Sequence, residues 1–177
     1  MSIPSLLINT EQLARPIKDL TLPVTAQAGH SSPDLRLSQL RGRVIVLFVF
    51  GVDCGTCKHL AGVLSTLCQE HAQDVECIGI CVQTGCQEKL SDFADKADVR
   101  FPLTYCPTRE LCPALGIPKA TWLFYPTVIF IDREQRLRAF YVGNHDFFNN
   151  PDKNIRAVLD ELLAEVSQAE QEAEVSA

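Results

Sequence analysis

The stretch that decides the fold is Val44-Ile45-Val46-Leu47-Phe48-Val49-Phe50-Gly51-Val52-Asp53-Cys54-Gly55-Thr56-Cys57-Lys58-His59-Leu60-Ala61-Gly62-Val63-Leu64. Its first seven residues are apolar, β-branched or aromatic without a break, the pattern of a strand buried on both faces. Gly51 closes the run, and two cysteines follow within six residues. Leu60, Leu64 and Leu67, with Ala61 and Cys68 alongside, recur at the spacing of one helix face and predict a helix to about His71. The cysteine pair therefore sits between the end of a buried strand and the first turn of an amphipathic helix.

Outward from this stretch, residues 1–15 read as a loosely attached arm, 16–166 as one domain, and 167–177 as an acidic tail that frays. Residues 38–43 supply a turn into the first core strand. Residues 75–82 read as a second buried strand, and 88–97 as a helix with Leu90, Phe93, Ala94 and Ala97 on one side. A short helix over 110–115 ends at Gly116. Pro126 precedes a strand over 127–132, and Asp132-Arg133-Glu134-Gln135 turns it into a hairpin with 137–142. Residues 154–166 form a closing amphipathic helix with Ile155, Val158, Leu159, Leu162 and Leu163 inward. Strands alternating with helices, then a hairpin and a helix, predict an α/β fold with a central mixed sheet flanked by helices.

A chain of 177 residues suits one domain with a sizeable core. A net charge of −6 and no Lys/Arg cluster argue against nonspecific nucleic-acid binding. The longest strongly apolar run, 44–50, is too short to span a bilayer. The first residues lack a basic start and a long apolar core, so the chain reads as a soluble cytoplasmic protein. Eight cysteines are an even number, yet a chain of this size does not need a disulfide scaffold. Reduced thiols, a catalytic pair or a metal site are the expected uses.

A Cys-x-x-Cys spacing is weak evidence alone, since about 0.3 such pairs arise by chance at this cysteine content. Its place gives it chemistry. Unpaired N–H groups and the dipole at a helix N-terminus favour an anion, so Cys54 is placed to act as an attacking thiolate. Cys57 lies one turn deeper, close enough to resolve a mixed disulfide. Gly55 relieves crowding, Lys58 favours the thiolate and Asp53 opposes it.

The segment from Phe50 to Leu64 resembles the strand–CxxC–helix unit of thioredoxins. Leu20-Thr21-Leu22-Pro23 with Leu37-Ser38-Gln39-Leu40-Arg41-Gly42-Arg43-Val44 resembles the opening hairpin of the thiol–disulfide oxidoreductase and alkyl hydroperoxide reductase-like (redoxin) branch of that superfamily. Tyr125-Pro126-Thr127-Val128-Ile129-Phe130-Ile131-Asp132 is similar to that branch's cis-proline strand. These pieces span residues 18–165 in the expected order. The resemblance implies a thioredoxin-like fold with an N-terminal hairpin extension, and a cis Tyr125–Pro126 peptide beside the active cysteine. It implies thiol–disulfide exchange without a cofactor beyond a Cys54–Cys57 redox disulfide. Gly55, Thr56, Tyr125, Pro126 and Thr127 would contact a disulfide-containing protein substrate. An electron-donor reductase or a low-molecular-weight thiol would recharge the pair.

Several positions depart from the resemblance. Asp53 replaces the usual tryptophan before the motif. Phe48 stands where thioredoxin keeps a buried acid, and Leu60 where some cytochrome-maturation members keep one. Glu76 or His59 are the remaining proton acceptors, though both read as solvated surface residues. Trp122, Phe124 and Tyr125 form either an apolar substrate platform or packing against the motif helix. Cys68, Cys77 and Cys81 read as core thiols, while Cys86, Cys106 and Cys112 fall in or near loops, with a Cys106–Cys112 pair left open. Zinc would need paired short spacings from turns, and neither the cysteines nor the four histidines show them. Two other classes stay open: a noncatalytic module binding a metal or a partner, and a thiol peroxidase. Peroxiredoxins keep a threonine three residues before the reacting cysteine, whereas Gly51 and Cys54 precede Cys54 and Cys57 at that spacing.

Overall fold

A computed structural model describes residues 15–26, 34–118, 125–165 and 168–176. Residues 1–14 of the arm expected over 1–15, His30, and the residues 119–124 that include Trp122 and Phe124 lie outside it. In chain order the described elements are β1 (Thr21–Ala26), β2 (Asp34–Arg36), β3 (Val44–Phe50), α1 (Gly55–Glu70), β4 (Val75–Cys81), α2 (Leu90–Lys96), β5 (Leu103–Tyr105), α3 (Thr108–Leu115), β6 (Thr127–Ile131), β7 (Leu137–Val142), α4 (Pro151–Ala164) and α5 (Gln168–Val175).

The strands form one seven-stranded sheet in the order β2-β1-β5-β4-β3-β6-β7. β3, β4 and β5 are parallel neighbours, and the hairpins β1–β2 and β6–β7 join antiparallel on either side. The decisive run is therefore a central strand, which is why all seven of its residues are buried and none alternates with polar ones.

Period-two alternation along β3 sends Val44, Val46, Phe48 and Phe50 to one face and Ile45, Leu47 and Val49 to the other. The first face is covered by α1, α2 and α4 through Leu60, Leu64, Leu67, Leu90, Phe93, Ile155 and Leu159. The second is covered by α3 and the β1–β2 hairpin through Leu22, Leu35, Leu111 and Leu115. Gly79 in mid-β4 has no room for a side chain, because Leu103, Phe101 and Phe50 fill the space a Cβ would take.

Most expected elements are present with shifts of a few residues. The second arm of the opening hairpin is Asp34–Arg36, and residues 37–40 form a 3-10 turn instead. β5 was not expected: it is three residues long and follows Pro102, too short to show a period. The β6–β7 turn is built as its residues suggest, with Asp132 Oδ1 accepting from the backbone N–H groups of Glu134 at 3.0 Å and Arg136 at 2.9 Å. Where a frayed tail was expected, Gln168–Val175 is helical, in keeping with the high helix propensity of its Ala, Glu and Gln residues.

Candidate active site

Because β3 and β4 are parallel, with Phe50 in register with Cys81, both deliver their C-terminal ends to the same edge of the sheet. The motif lies at that edge. The Cys54 backbone N–H donates to the Gly51 carbonyl at 3.2 Å, closing a tight turn out of β3. Cys54 is the N-cap of α1, with extended backbone, φ −89° and ψ 110°. Its Sγ accepts from the Cys57 N–H at 3.2 Å and lies 3.3 Å from Thr56 Oγ1. The Cys57 N–H is among the backbone groups that a helix N-terminus leaves unpaired.

Cys54 and Cys57 are joined as a disulfide with Cα atoms 5.2 Å apart. Cys54 is half-buried and Cys57 is buried completely, so the first sulfur meets solvent and the second lies behind it. Gly55, Thr56 and Asp53 are exposed, and Lys58 is half-buried. The Asp53 carboxylate accepts from Gln83 Nε2 at 3.3 Å.

Tyr125 and Pro126 come to the motif from across the sheet edge, and the peptide joining them is cis. Tyr125 is exposed, at 43%. Its ring rests on Gly51: a Cβ there would lie 2.6 Å from Tyr125 Cε2. The seat that Gly51 gives this ring depends on a segment 74 positions downstream that no local pattern announces.

A groove of about 470 Å³ opens beside the motif. Gly55, Thr56, His59 and Leu60 of α1 form one wall, and Tyr125 and Pro126 another. Gly143, Asn144, Phe148 and Pro151, between β7 and the start of α4, complete it, and sequence reasoning singled out none of these four.

Three expectations need correction. Thr127, expected to meet substrate, is fully buried. It is in register with Val49 and shares the face of Ile129, opposite α1, because strand side chains alternate. Glu76 is not a solvated residue but is buried, and it accepts from Arg43 Nη1 at 2.5 Å. It is in register with Ile45, at the far end of β4 from the motif, about 16 Å along the strand at 3.3 Å per residue. The third correction concerns the cysteines. Cys68 pairs with Cys77, and Cys81 with Cys86, with Cα separations of 6.2 Å and 6.8 Å.

Cys106 and Cys112 are free and buried. Burial pushes the Cys106 thiol up to about 11, helped by the charge of Glu110 and by Cys112, and burial also raises Cys112. Thiols held protonated in this way are poor nucleophiles at neutral pH. The two familiar acid positions are filled by Phe48 and Leu60, both buried. Among the described residues no three His, Cys, Asp or Glu side chains converge to hold a metal ion. Among them, too, no helix is long and apolar enough to cross a membrane.

Comparison with known proteins matches residues 13–140 to the AhpC/TSA family. The chain belongs to the AhpC/TSA family. No curated protein matches it. Solved structures share the thioredoxin-like fold of this AhpC/TSA member. A DsbF homologue from Corynebacterium diphtheriae is 18% identical, with 84% of this chain and 87% of that one covered and a TM-score of 0.68. A secreted thiol-disulfide isomerase from Corynebacterium glutamicum is 21% identical, with coverage of 84% and 86% and a TM-score of 0.67. A secreted disulfide oxidoreductase from Mycobacterium tuberculosis is 16% identical, with coverage of 78% and 95% and a TM-score of 0.59. Family and fold together make the chain an AhpC/TSA member with a thioredoxin-like fold.

Proposed function

We propose that this AhpC/TSA protein exchanges disulfides with protein substrates through Cys54 and Cys57, in the direction of substrate reduction. The observation that carries the reading is the asymmetry of the pair: a half-exposed Cys54 at the helix cap and a buried Cys57 one turn behind it. The Cys54 thiolate attacks one substrate sulfur, the substrate S–S bond breaks, and the leaving sulfur takes up a proton. Cys57 then loses its proton and attacks Cys54 Sγ. The mixed disulfide breaks, the second substrate sulfur leaves as a thiol, and two electrons have passed to the substrate. A dithiol reductase or a low-molecular-weight thiol returns the pair to its reduced form.

Asp53 supports the direction. An exposed carboxylate next to Cys54 works against its thiolate, and a less stable dithiol form is a stronger reductant. A potential near about −270 mV agrees with reduction, and one near about −120 mV makes the protein an oxidant instead. The insulin-reduction assay tests the assignment itself. Wild-type protein should turn over and Cys54→Ser should not, and full turnover by the variant sinks the reading.

The groove supports a polypeptide substrate, with Tyr125 held over Gly51 as one wall. Gly51→Ala would push the ring off its seat, and a misplacement near 1 Å costs up to about 10²-fold in a positioned reaction. We expect kcat/KM for insulin to fall by roughly tenfold or more, with KM and kcat read separately. An unchanged value would remove Tyr125 from substrate positioning. The peroxidase alternative is not favoured, because Gly51 stands three residues before Cys54, where peroxiredoxins keep a threonine.

The cytoplasmic placement expected from the first residues draws no support from similar proteins described as secreted.

A further inference from the structure

Two cysteine pairs meet at one edge of the sheet. The first follows β3. The second begins at Cys81, the last residue of β4 and the register partner of Phe50, and closes on Cys86. Between these half-cystines lies a surface turn. Thr84 and Gly85 are exposed, Gly85 is left-handed at φ +76°, and the Cys86 N–H donates to the Gln83 carbonyl at 3.3 Å. The remaining pair is placed differently, since Cys68 and Cys77 lie inside a helix and a core strand.

Gln83 joins the two sites. Its Nε2 donates to Asp53, the residue before Cys54, at 3.3 Å. Its Oε1 is buried without a hydrogen-bond partner among the described residues. A buried amide oxygen left unpaired is costly, so a turn freed from its cross-link lets Gln83 swing out and rehydrate.

We propose that Cys81–Cys86 is a second redox-active disulfide whose state is coupled to that of Cys54–Cys57 through Gln83 and Asp53. It rests on the exchange proposed above only for what the motif does with its electrons. Both sulfurs are buried, so reaction proceeds when the turn opens locally. A low-molecular-weight thiolate then attacks Cys86 Sγ, the bond to Cys81 breaks, and Cys81 takes up a proton. A second such thiolate attacks the resulting mixed disulfide, releasing Cys86 as a thiol and the small thiol as its own disulfide. Two electrons enter the protein.

Opening this bond removes the neutral donor from Asp53. The freed carboxylate then acts more strongly against the Cys54 thiolate, so the motif favours its disulfide form. Linkage is reciprocal: whatever factor the open turn imposes on the motif, the reduced motif imposes on the turn.

The test is a redox titration of the full chain in glutathione and dithiothreitol buffers, with each cysteine read by alkylation and peptide mass. Wild-type protein should show a two-electron transition at Cys81 and Cys86 separate from that of the motif. The Cys81→Ala/Cys86→Ala double variant should move the motif equilibrium constant three- to tenfold toward disulfide, tenfold being about 30 mV. Gln83→Ala keeps the cross-link and should move it the same way, which decides the matter if the double variant does not fold. The second transition should differ by an equal factor between motif-reduced and motif-oxidised protein, and in Cys54→Ser/Cys57→Ser, which has no thiolate at 54, the second bond should open as readily as in motif-oxidised protein. Cys81 and Cys86 alkylating as thiols at every poise overturns the proposal, and so does a motif equilibrium unmoved by Gln83→Ala. Coupling that persists in a protein unable to reduce insulin upholds this inference and rejects only the proposed substrate.

Discussion

Cys57→Ser protein is expected to arrest as a covalent complex with its substrate, and Cys54→Ser protein to form none. The reason is access. Cys57 is fully buried, with its Cα 5.2 Å from that of Cys54, so the only bond it is placed to break is one ending on Cys54 Sγ. Serine at 57 leaves the attacking sulfur and its cap intact but removes the resolving thiol. The stand-ins are poor. Cys106 and Cys112 lie in the core on the opposite sheet face, and the Cys106 thiol is pushed up to about 11. External thiol must then perform a step whose intramolecular version has an effective molarity of roughly 10⁵ M or more when the groups are well oriented. Multiple turnover should therefore fall by orders of magnitude while the first encounter proceeds. Non-reducing gels and intact-mass measurement after incubation with insulin would show the adduct. Equal adducts from both variants, or none from either, would contradict the assigned roles.

How much of this was legible depends on the distance over which each feature is specified. β3 and α1 are announced by their own residues, an unbroken apolar run and a helical period, so strand, motif and helix were readable together. Gly51 and Tyr125 were each visible, yet their contact exists only because the chain returns across the sheet edge. The same holds for Cys68 with Cys77 and Cys81 with Cys86, which meet across a helix–strand layer and a turn that spacing alone does not fix. Glu76 misled because a carboxylate reads as exposed until its partner is known, and Arg43 lies 33 positions away. Thr127 differs from these. Its face followed from strict alternation with Val128 and Ile129, and carrying a whole tripeptide over from a resemblance concealed what the period already said.

Phe48→Ala is expected to cost about 3–5 kcal/mol of stability, as truncating a buried aromatic commonly does. For a domain of this size that corresponds to a melting temperature lower by roughly 6–20 °C. Phe48 is completely buried and stacks on Phe50 with ring centroids 5.3 Å apart, while Phe101 meets it edge-on at 6.4 Å. Phe50 in turn stacks on Phe93 at 4.5 Å, so the ring anchors a series running from beneath α1 to α2. Phe48→Asp restores the acid that thioredoxin carries at this position and separates two accounts of the site. If exchange here suffers for want of a proton acceptor, the aspartate variant should turn over insulin faster than wild type. The packing predicts otherwise. A carboxylate set among Phe50, Phe101 and the apolar face of α1 is surrounded by carbon, and burial of an unpaired charge is among the largest single-site penalties. The aspartate variant should therefore be less stable than Phe48→Ala in urea unfolding, and its loss should diminish at low pH, where the side chain is neutral. A stable, faster Phe48→Asp protein would show that this core tolerates the acid, and that the aromatic series is not what replaced it.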